Sequence, residues 1–201
     1  MKTYKIYLLR HGLTEANFKG IYAGNRSDLP LCPEGKRQLA EIKNEGELPD
    51  IQKLYSSPLL RAMQSAEVLY PGFEPTAIEE LTEYDFGSFE GKTAAELEND
   101  PAYSDWTSGK TKAAPGGEDY TNFVKRLCLG LNNIVRDMMD EGITTSAVIM
   151  HGGAIMMLLA ACAVPRKTPV EWTCDPGRGF ALRITPSVYH SSGVVEVFEA
   201  I

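Results

Sequence analysis

Residues 8–17 read LLRHGLTEAN, and this stretch marks the end of the first predicted strand. An apolar run stops at Arg10, and His11 and Gly12 follow it directly. Because the 201 residues contain only three histidines, an Arg-His-Gly triplet at a strand end is a candidate reactive site. A structural alternative is also open, in which Gly12 breaks the strand and Thr14 caps the next helix. The triplet alone does not decide between the two.

The rest of the chain alternates between strand and helix patterns. Strands are predicted near residues 4–9, 53–56, 76–79, 146–150, 180–185 and 194–198. Helices are predicted to begin at Pro33 and Pro58 and to cover residues 118–140 and 154–163. This alternation predicts an α/β fold, a three-layer α/β/α sandwich around a mostly parallel central sheet. We expect a single domain over residues 1–201, with an irregular segment at 84–117 that covers the substrate.

The composition is that of an ordinary soluble protein, with 43% hydrophobic and 23% charged residues. The net charge of −7 and the lack of a dense Lys/Arg run argue against nucleic acid as a partner. No apolar run is long enough to span a membrane, and the first residues lack a secretory signal, so we expect no membrane partner and a cytoplasmic location. The four cysteines are dispersed, which predicts neither a zinc site nor a disulfide framework.

Polar residues follow four of the predicted strands. Arg10 and His11 end the first, Arg61 lies in the helix after the second, Glu83 follows the third and His151 follows the most apolar strand. In an open α/β sheet, ligands bind beyond the carboxyl ends of the strands. We therefore expect two arginines, two histidines and one glutamate at one edge of the sheet.

These residue types are suited to phosphoryl transfer. An imidazole accepts a phosphoryl group only when it is unprotonated, and neighbouring positive charges disfavour protonation of His11. The guanidinium groups of Arg10 and Arg61 match phosphate oxygens, and Asn17 with backbone N–H groups near Gly152 can complete the phosphate site. Charge stabilisation of this kind requires no metal and no cofactor.

The ordered motifs resemble the histidine phosphatase superfamily, which contains phosphoglycerate mutases and many phosphomonoesterases. The motifs that carry the resemblance are Arg10-His11-Gly12-x-Thr14-x-x-Asn17, Ser56-Ser57-Pro58-x-x-Arg61-x-x-x-Ser65-Ala66, Leu81-x-Glu83-x-x-Phe86-Gly87-x-x-Glu90-Gly91 and His151-Gly152-Gly153. They cover nearly the whole chain in the order typical of the family. A lone Arg-His-Gly would be weak evidence, whereas four ordered motifs are strong evidence.

The resemblance implies a role for each catalytic candidate. His11 is expected to be the nucleophile that forms a phosphohistidine, and His151 to contact the phosphoryl group in the transition state. Glu83 is expected to protonate the departing alkoxide and then to accept a proton from the hydrolytic water. The alternative for Glu83 is a solvated acidic face, since three other acidic residues lie nearby, but its spacing to Phe86 and Gly87 favours the catalytic role.

The activity within the family is less constrained by the sequence. The expected activity is hydrolysis of a small phosphomonoester, and residues 81–91 and 115–118 resemble the α-ribazole phosphatase branch. The alternatives are a phosphoglycerate mutase, whose larger insertion and extended C-terminal tail this chain is expected to lack, and a catalytically inactive anion-binding relative. Tyr22, Gly24 and Arg26 are expected on the substrate side, with Arg26 either contacting a second anionic group or remaining a solvated loop charge.

Two further residues are expected to have no catalytic role, and the sequence does not decide the oligomeric state. Thr14 is expected to cap a helix rather than to catalyse. His190 lies outside every motif and is expected at the surface. We expect a monomer or a homodimer that binds a small phosphorylated metabolite.

Overall fold

The computed structural model describes residues 3–46 and 48–201 and contains one seven-stranded sheet. The strands are β1 (Tyr4–Arg10), β2 (Lys53–Ser56), β3 (Thr76–Ala77), β4 (Thr145–Met150), β5 (Ala163–Val164), β6 (Gly179–Ile184) and β7 (Val195–Ala200). The helices are α1 (Glu15–Lys19), α2 (Pro33–Asn44), α3 (Leu60–Leu69), α4 (Ala94–Leu97), α5 (Pro101–Thr107), α6 (Tyr120–Asp140), α7 (Gly152–Cys162) and α8 (Pro186–Ser192).

The strand order is β3-β2-β4-β1-β6-β7-β5. The first four strands in this order are parallel to one another, so their carboxyl ends meet at one edge. β6 runs antiparallel to both β1 and β7, and β5 is parallel to β7. The predicted α/β fold with a mostly parallel sheet is confirmed, and among the seven described strands β6 alone runs opposite to the others.

Helices cover both faces of the sheet. On one face, α2 and α3 pack together over a buried cluster that includes Leu39 and Ile149. On the other face, α6 and α7 pack over a larger cluster that includes Phe123, Ile155 and Val148. Because successive residues of β4 enter opposite clusters, this strand is apolar on both sides. Each fully buried side chain of this size contributes roughly 1.5–3 kcal/mol relative to exposure, so the two clusters fix β4 at the centre of the fold.

The observed boundaries differ from the predicted ones at β3, at β5 and at the start of the long helix. β3 contains only two residues, because a 3-10 turn over Glu79–Leu81 ends the extended conformation. β5 was not predicted; it follows α7 directly and pairs with β7. The long helix begins at Tyr120 rather than at residue 118, since the side chain of Asp119 caps it by accepting the N–H of Thr121.

The segment at 84–117 is more ordered than its sequence predicts. It contains α4, α5 and a 3-10 turn over Gly87–Phe89. Its aromatic side chains pack against one another, against Tyr22 and against α6; they are Tyr84, Phe86, Phe89, Tyr103 and Trp106. Such packing joins the segment to Tyr22 and to α6. Among the helices of the described residues, none is both long enough and apolar enough to cross a membrane.

Candidate active site

His11 and His151 face each other at the carboxyl ends of β1 and β4. The two strands are paired in parallel, and the N–H of His11 donates to the carbonyl of Met150, the last residue of β4, at 2.9 Å. The imidazole ring centroids lie 5.1 Å apart with the planes inclined by 62°. Strand register therefore places the two histidines side by side.

One hydrogen bond determines the tautomer of His11. Its Nδ1 lies 2.7 Å from the carbonyl oxygen of Gly12, and a carbonyl only accepts, so Nδ1 carries the hydrogen and Nε2 carries the lone pair. Burial, reinforced by the positive charge of Arg61, lowers the pKa of His11 to about 3. The ring is thus neutral at physiological pH, with Nε2 available as a nucleophile.

His151 is fully buried and has one unpartnered nitrogen. Its Nε2 lies 2.8 Å from the hydroxyl oxygen of Ser57, whereas its Nδ1 has no hydrogen-bond partner among the described residues. Burial lowers the pKa of His151, and the charge of Arg61 and the proximity of His11 lower it further. A buried polar atom without a partner is costly, so Nδ1 is suited to contact a ligand.

Arg10 and Arg61 present guanidinium groups beside the histidines, each held by backbone carbonyls. Arg10 donates from Nη1 to the carbonyl of Cys174 at 2.8 Å, and its buried Nε has no partner in the described part of the chain. Arg61 is 2% exposed and donates to the carbonyls of Ser27 at 2.6 Å and Gly24 at 3.2 Å. Two oriented guanidinium groups form a site for a dianionic group such as phosphate.

Gly152 and Ser65 hold these groups in place. A Cβ at Gly152 would lie 3.1 Å from Nε of Arg10, so the glycine lets the arginine lie against the start of α7. The hydroxyl of Ser65 donates to the carbonyl of Arg61 at 2.6 Å and accepts the N–H of Gly12 at 2.9 Å. α3 is thereby tied to the turn that follows His11.

Glu83 is buried against the start of α7. Its two carboxylate oxygens accept the N–H of Tyr84 at 2.8 Å and the N–H of Gly153 at 3.0 Å. Burial raises the pKa of Glu83, although the two N–H groups and the charge of Arg61 oppose the rise. A buried carboxyl group with a raised pKa has the properties of a general acid.

Comparison with known proteins identifies the family. The profile of the histidine phosphatase superfamily (branch 1) matches residues 6–189. The chain belongs to this superfamily. Several of its relatives are named as phosphatases.

Three relatives illustrate the range of activities. A broad-specificity phosphatase of Saccharomyces cerevisiae is 30% identical over 77% of this chain and 68% of its own length. The adenosylcobalamin/α-ribazole phosphatase of Salmonella typhimurium is 26% identical over 78% of each chain. The crystal structure of a phosphoglycerate mutase from Thermus thermophilus superposes with a TM-score of 0.68 at 29% identity, covering 98% of both chains.

Asn17 has a structural contact in this histidine phosphatase. Its Oδ1 accepts the N–H of Thr14 at 2.9 Å and the hydroxyl of Thr14 at 3.0 Å, which forms a capping box at α1. The interpretation of Thr14 as a cap is confirmed. Phosphate binding by Asn17 stays a prediction that would rest on its amide N–H₂ group.

The three residues predicted on the substrate side all contact the segment at 84–117. The hydroxyl of Tyr22 lies 2.8 Å from that of Tyr103. Gly24 lies so close to the segment that a Cβ would come within 2.1 Å of a backbone carbonyl oxygen. Arg26 is exposed, forms an ion pair with Asp85 at 2.9 Å and also donates to the carbonyl of Gly116, and its contact with a second anionic group stays a prediction. These contacts join the loop at 22–27 to the covering segment.

Arg126 on α6 was not predicted as part of the site. It donates to three backbone carbonyls in the segment that carries Glu83 and forms an ion pair with Glu118. Hydrogen bonds to backbone carbonyls leave no pattern in a sequence, although Glu118 lies in a stretch that resembles the family. Within the described residues, no cluster of His, Cys, Asp and Glu side chains is arranged to hold a metal ion.

Proposed function

We propose that this histidine phosphatase hydrolyses small phosphomonoesters through a phosphohistidine on His11. The observation that carries the proposal is the hydrogen bond from Nδ1 of His11 to the carbonyl of Gly12, which leaves the lone pair on Nε2. Burial and the charges of Arg61 and Arg10 lower the pKa of His11, and the buried carboxyl group of Glu83 accepts the N–H of Gly153, two residues after His151. This combination supports nucleophilic attack on a phosphate monoester.

In the first step, Arg10 and Arg61 hold the non-bridging phosphate oxygens while Nε2 of His11 attacks phosphorus. The N–P bond forms as the ester P–O bond breaks, and the electron pair of that bond leaves with the alkoxide oxygen. Glu83 transfers its proton to this oxygen, which departs as the alcohol. Nδ1 of His151, when it carries a hydrogen, donates to the transferring phosphoryl group.

In the second step, the carboxylate of Glu83 accepts a proton from water as the water oxygen attacks phosphorus. The N–P bond breaks and its electron pair returns to Nε2 of His11, which releases inorganic phosphate. Glu83 is then protonated for the next cycle. Because guanidinium groups stabilise the charge throughout, we propose that turnover requires no metal.

The proposed substrate class is a small phosphorylated metabolite, with α-ribazole 5′-phosphate as the first candidate. The similarity to the Salmonella phosphatase and the Pro115-Gly116-Gly117-Glu118 stretch support this candidate. The similarity to the yeast enzyme supports a broader range of monoesters. Phosphoglycerate mutase is the second candidate function, because the Thermus mutase matches nearly the full chain.

The test is phosphate release from a panel of monoesters in the presence of EDTA. The panel contains α-ribazole 5′-phosphate, 3-phosphoglycerate, sugar phosphates and p-nitrophenyl phosphate. We expect release from at least one compound, at a rate unaffected by EDTA, and none above background from His11→Ala. Full activity of His11→Ala would refute the mechanism, and isomerisation of phosphoglycerate without release would instead assign the mutase function.

A further inference from the structure

Arg126 donates all of its hydrogen bonds either to backbone carbonyls of the segment that carries Glu83 or to the carboxylate of Glu118. Nη1 donates to the carbonyls of Glu80 at 2.9 Å and Thr82 at 2.7 Å, and Nη2 donates to the carbonyl of Glu83 at 2.9 Å. Nε and Nη2 also donate to the two carboxylate oxygens of Glu118, each at 2.8 Å. A guanidinium group has five N–H donors, and all five are accounted for.

Glu118 fixes Arg126 from the opposite side. The pair is bidentate, and the two side chains are only 21% and 17% exposed. The N–H of Glu118 donates to the carbonyl of Asp85 at 3.0 Å, which ties this residue to the same segment. The guanidinium also lies over the ring of Phe123, 4.8 Å from its centroid. Arg126 is therefore held on three sides and is a rigid support.

The backbone that Arg126 supports carries the general acid. Its three carbonyl acceptors lie in and directly before Glu83, whereas the carboxylate itself is bonded to Tyr84 and Gly153. Arg126 thus acts on the acid through the main chain. A displacement of about 1 Å at a catalytic group is enough to reduce a rate about a hundredfold, so support of this backbone bears directly on proton transfer.

We propose that Arg126, anchored by Glu118, is a positioning residue that keeps Glu83 within reach of the leaving-group oxygen. This inference rests on the proposed phosphatase function and on Glu83 as its general acid. It also assigns a use to the Pro115-Gly116-Gly117-Glu118 stretch, since Glu118 supplies the carboxylate that orients the guanidinium. Lysine cannot replace Arg126, because an ammonium group has three donors and no planar fork.

The test compares two substrates that differ in their need for an acid. Phenolate is a poor leaving group that needs a proton, whereas p-nitrophenolate departs with little help because its nitro group delocalises the charge. We expect Arg126→Lys to lower kcat/KM for phenyl phosphate about tenfold or more, and for p-nitrophenyl phosphate less than about threefold. Glu118→Gln should show the same selectivity with a smaller loss.

Two controls make the result interpretable. Glu83→Gln removes the acid itself and sets the maximum selectivity between the substrates. Arg136→Lys changes an exposed arginine of the same helix and should affect neither substrate. Thermal unfolding of each variant shows whether it is folded, and Glu118→Gln decides the question if Arg126→Lys does not fold.

The outcomes separate this inference from the proposed function. Equal losses on both substrates in Arg126→Lys and Glu118→Gln, or no loss at all, would overturn the positioning role if Glu83→Gln remains selective. A Glu83→Gln variant without selectivity would refute the acid role of Glu83 and, with it, this inference. Selectivity in all three variants supports both.

Discussion

At the scale of single residues, the two buried histidines are distinguished by their hydrogen-bond partners. His11 is bonded through Nδ1 to a carbonyl, so its tautomer is fixed. His151 is bonded through Nε2 to a hydroxyl, which can donate or accept. Because phosphate oxygens only accept, the role proposed for His151 requires a hydrogen on Nδ1. Nε2 then accepts the hydrogen of Ser57.

We predict that Ser57→Ala lowers kcat about fivefold to tenfold with little change in KM. The variant removes a hydrogen bond of about 1 kcal/mol and allows both tautomers of His151. The measurement is steady-state kinetics on the best substrate of the panel. Ser56→Ala is the matched control, because the hydroxyl of Ser56 bonds only to backbone carbonyls. An unchanged kcat in Ser57→Ala would show that the hydroxyl does not set the tautomer.

At the scale of elements, the loop at 22–27 connects the phosphate site to the covering segment. The carbonyls of Gly24 and Ser27 orient Arg61 on α3, while Arg26 pairs with Asp85 on the other side. One loop therefore contacts both Arg61, the proposed phosphate-binding residue, and the segment at 84–117. Its conformation depends on close approach at Gly24, where the backbone N–H of Asn25 donates to the carbonyl of Tyr84 at 3.2 Å.

We predict that Gly24→Ala destabilises the protein by about 1–3 kcal/mol and raises KM. The new Cβ would lie 2.1 Å from the carbonyl oxygen of Tyr84, so the loop must move and take an acceptor away from Arg61. Urea unfolding and KM for p-nitrophenyl phosphate measure the two effects. In the comparison variant Gly20→Ala, no atom lies within 4 Å of the new Cβ and only the positive φ of 63° opposes it. An unchanged KM in Gly24→Ala would show that the conformation of the loop at 22–27 does not affect substrate binding.

The sequence predicted the elements that its own patterns specify. β4 and α6 have long apolar patterns, and both were located to within two residues. β3 and β5 contain two residues each, and such short strands arise from pairing with a neighbour rather than from local propensity. The capping box at Thr93 was present in the sequence, but α4 behind it has only four residues.

The same distinction holds at the candidate site. Residues at strand ends were brought together as expected, because parallel strands place their carboxyl ends at one edge. The sequence predicted neither the contacts of Arg126 nor the ion pair between Arg26 and Asp85. Both contacts join distant parts of the chain, and neither leaves a periodic signal.

At the scale of the whole molecule, the buried histidines make stability depend on pH. In the unfolded chain, the two buried histidines, His11 and His151, would each bind a proton near pH 6.5. In the folded state, His11 stays unprotonated until the pH falls to about 3. Because the unfolded state binds more protons in this range, the free energy of unfolding decreases as pH falls below 6.5. Glu83 has the opposite sign, since its raised pKa favours the folded state at low pH.

We predict that His11→Asn reduces the pH dependence of stability by up to about 1.4 kcal/mol per pH unit between pH 6 and pH 4. Urea unfolding at a series of pH values measures the slope. His190→Asn is the matched control, because His190 is exposed on α8. Equal slopes for the two variants would contradict a neutral, buried His11.

The position of β1 between β4 and β6 has a consequence for synthesis of the protein. A ribosome releases the chain from its first residue, so His11 is made early, while its flanking strands end at residues 150 and 184. The carbonyl of Cys174, which orients Arg10, is also made late. His11, the proposed nucleophile, is therefore synthesised well before the residues that surround it in the folded protein. The site can therefore assemble only after β4, Cys174 and β6 have been synthesised, which makes its formation a late step in the folding of this domain.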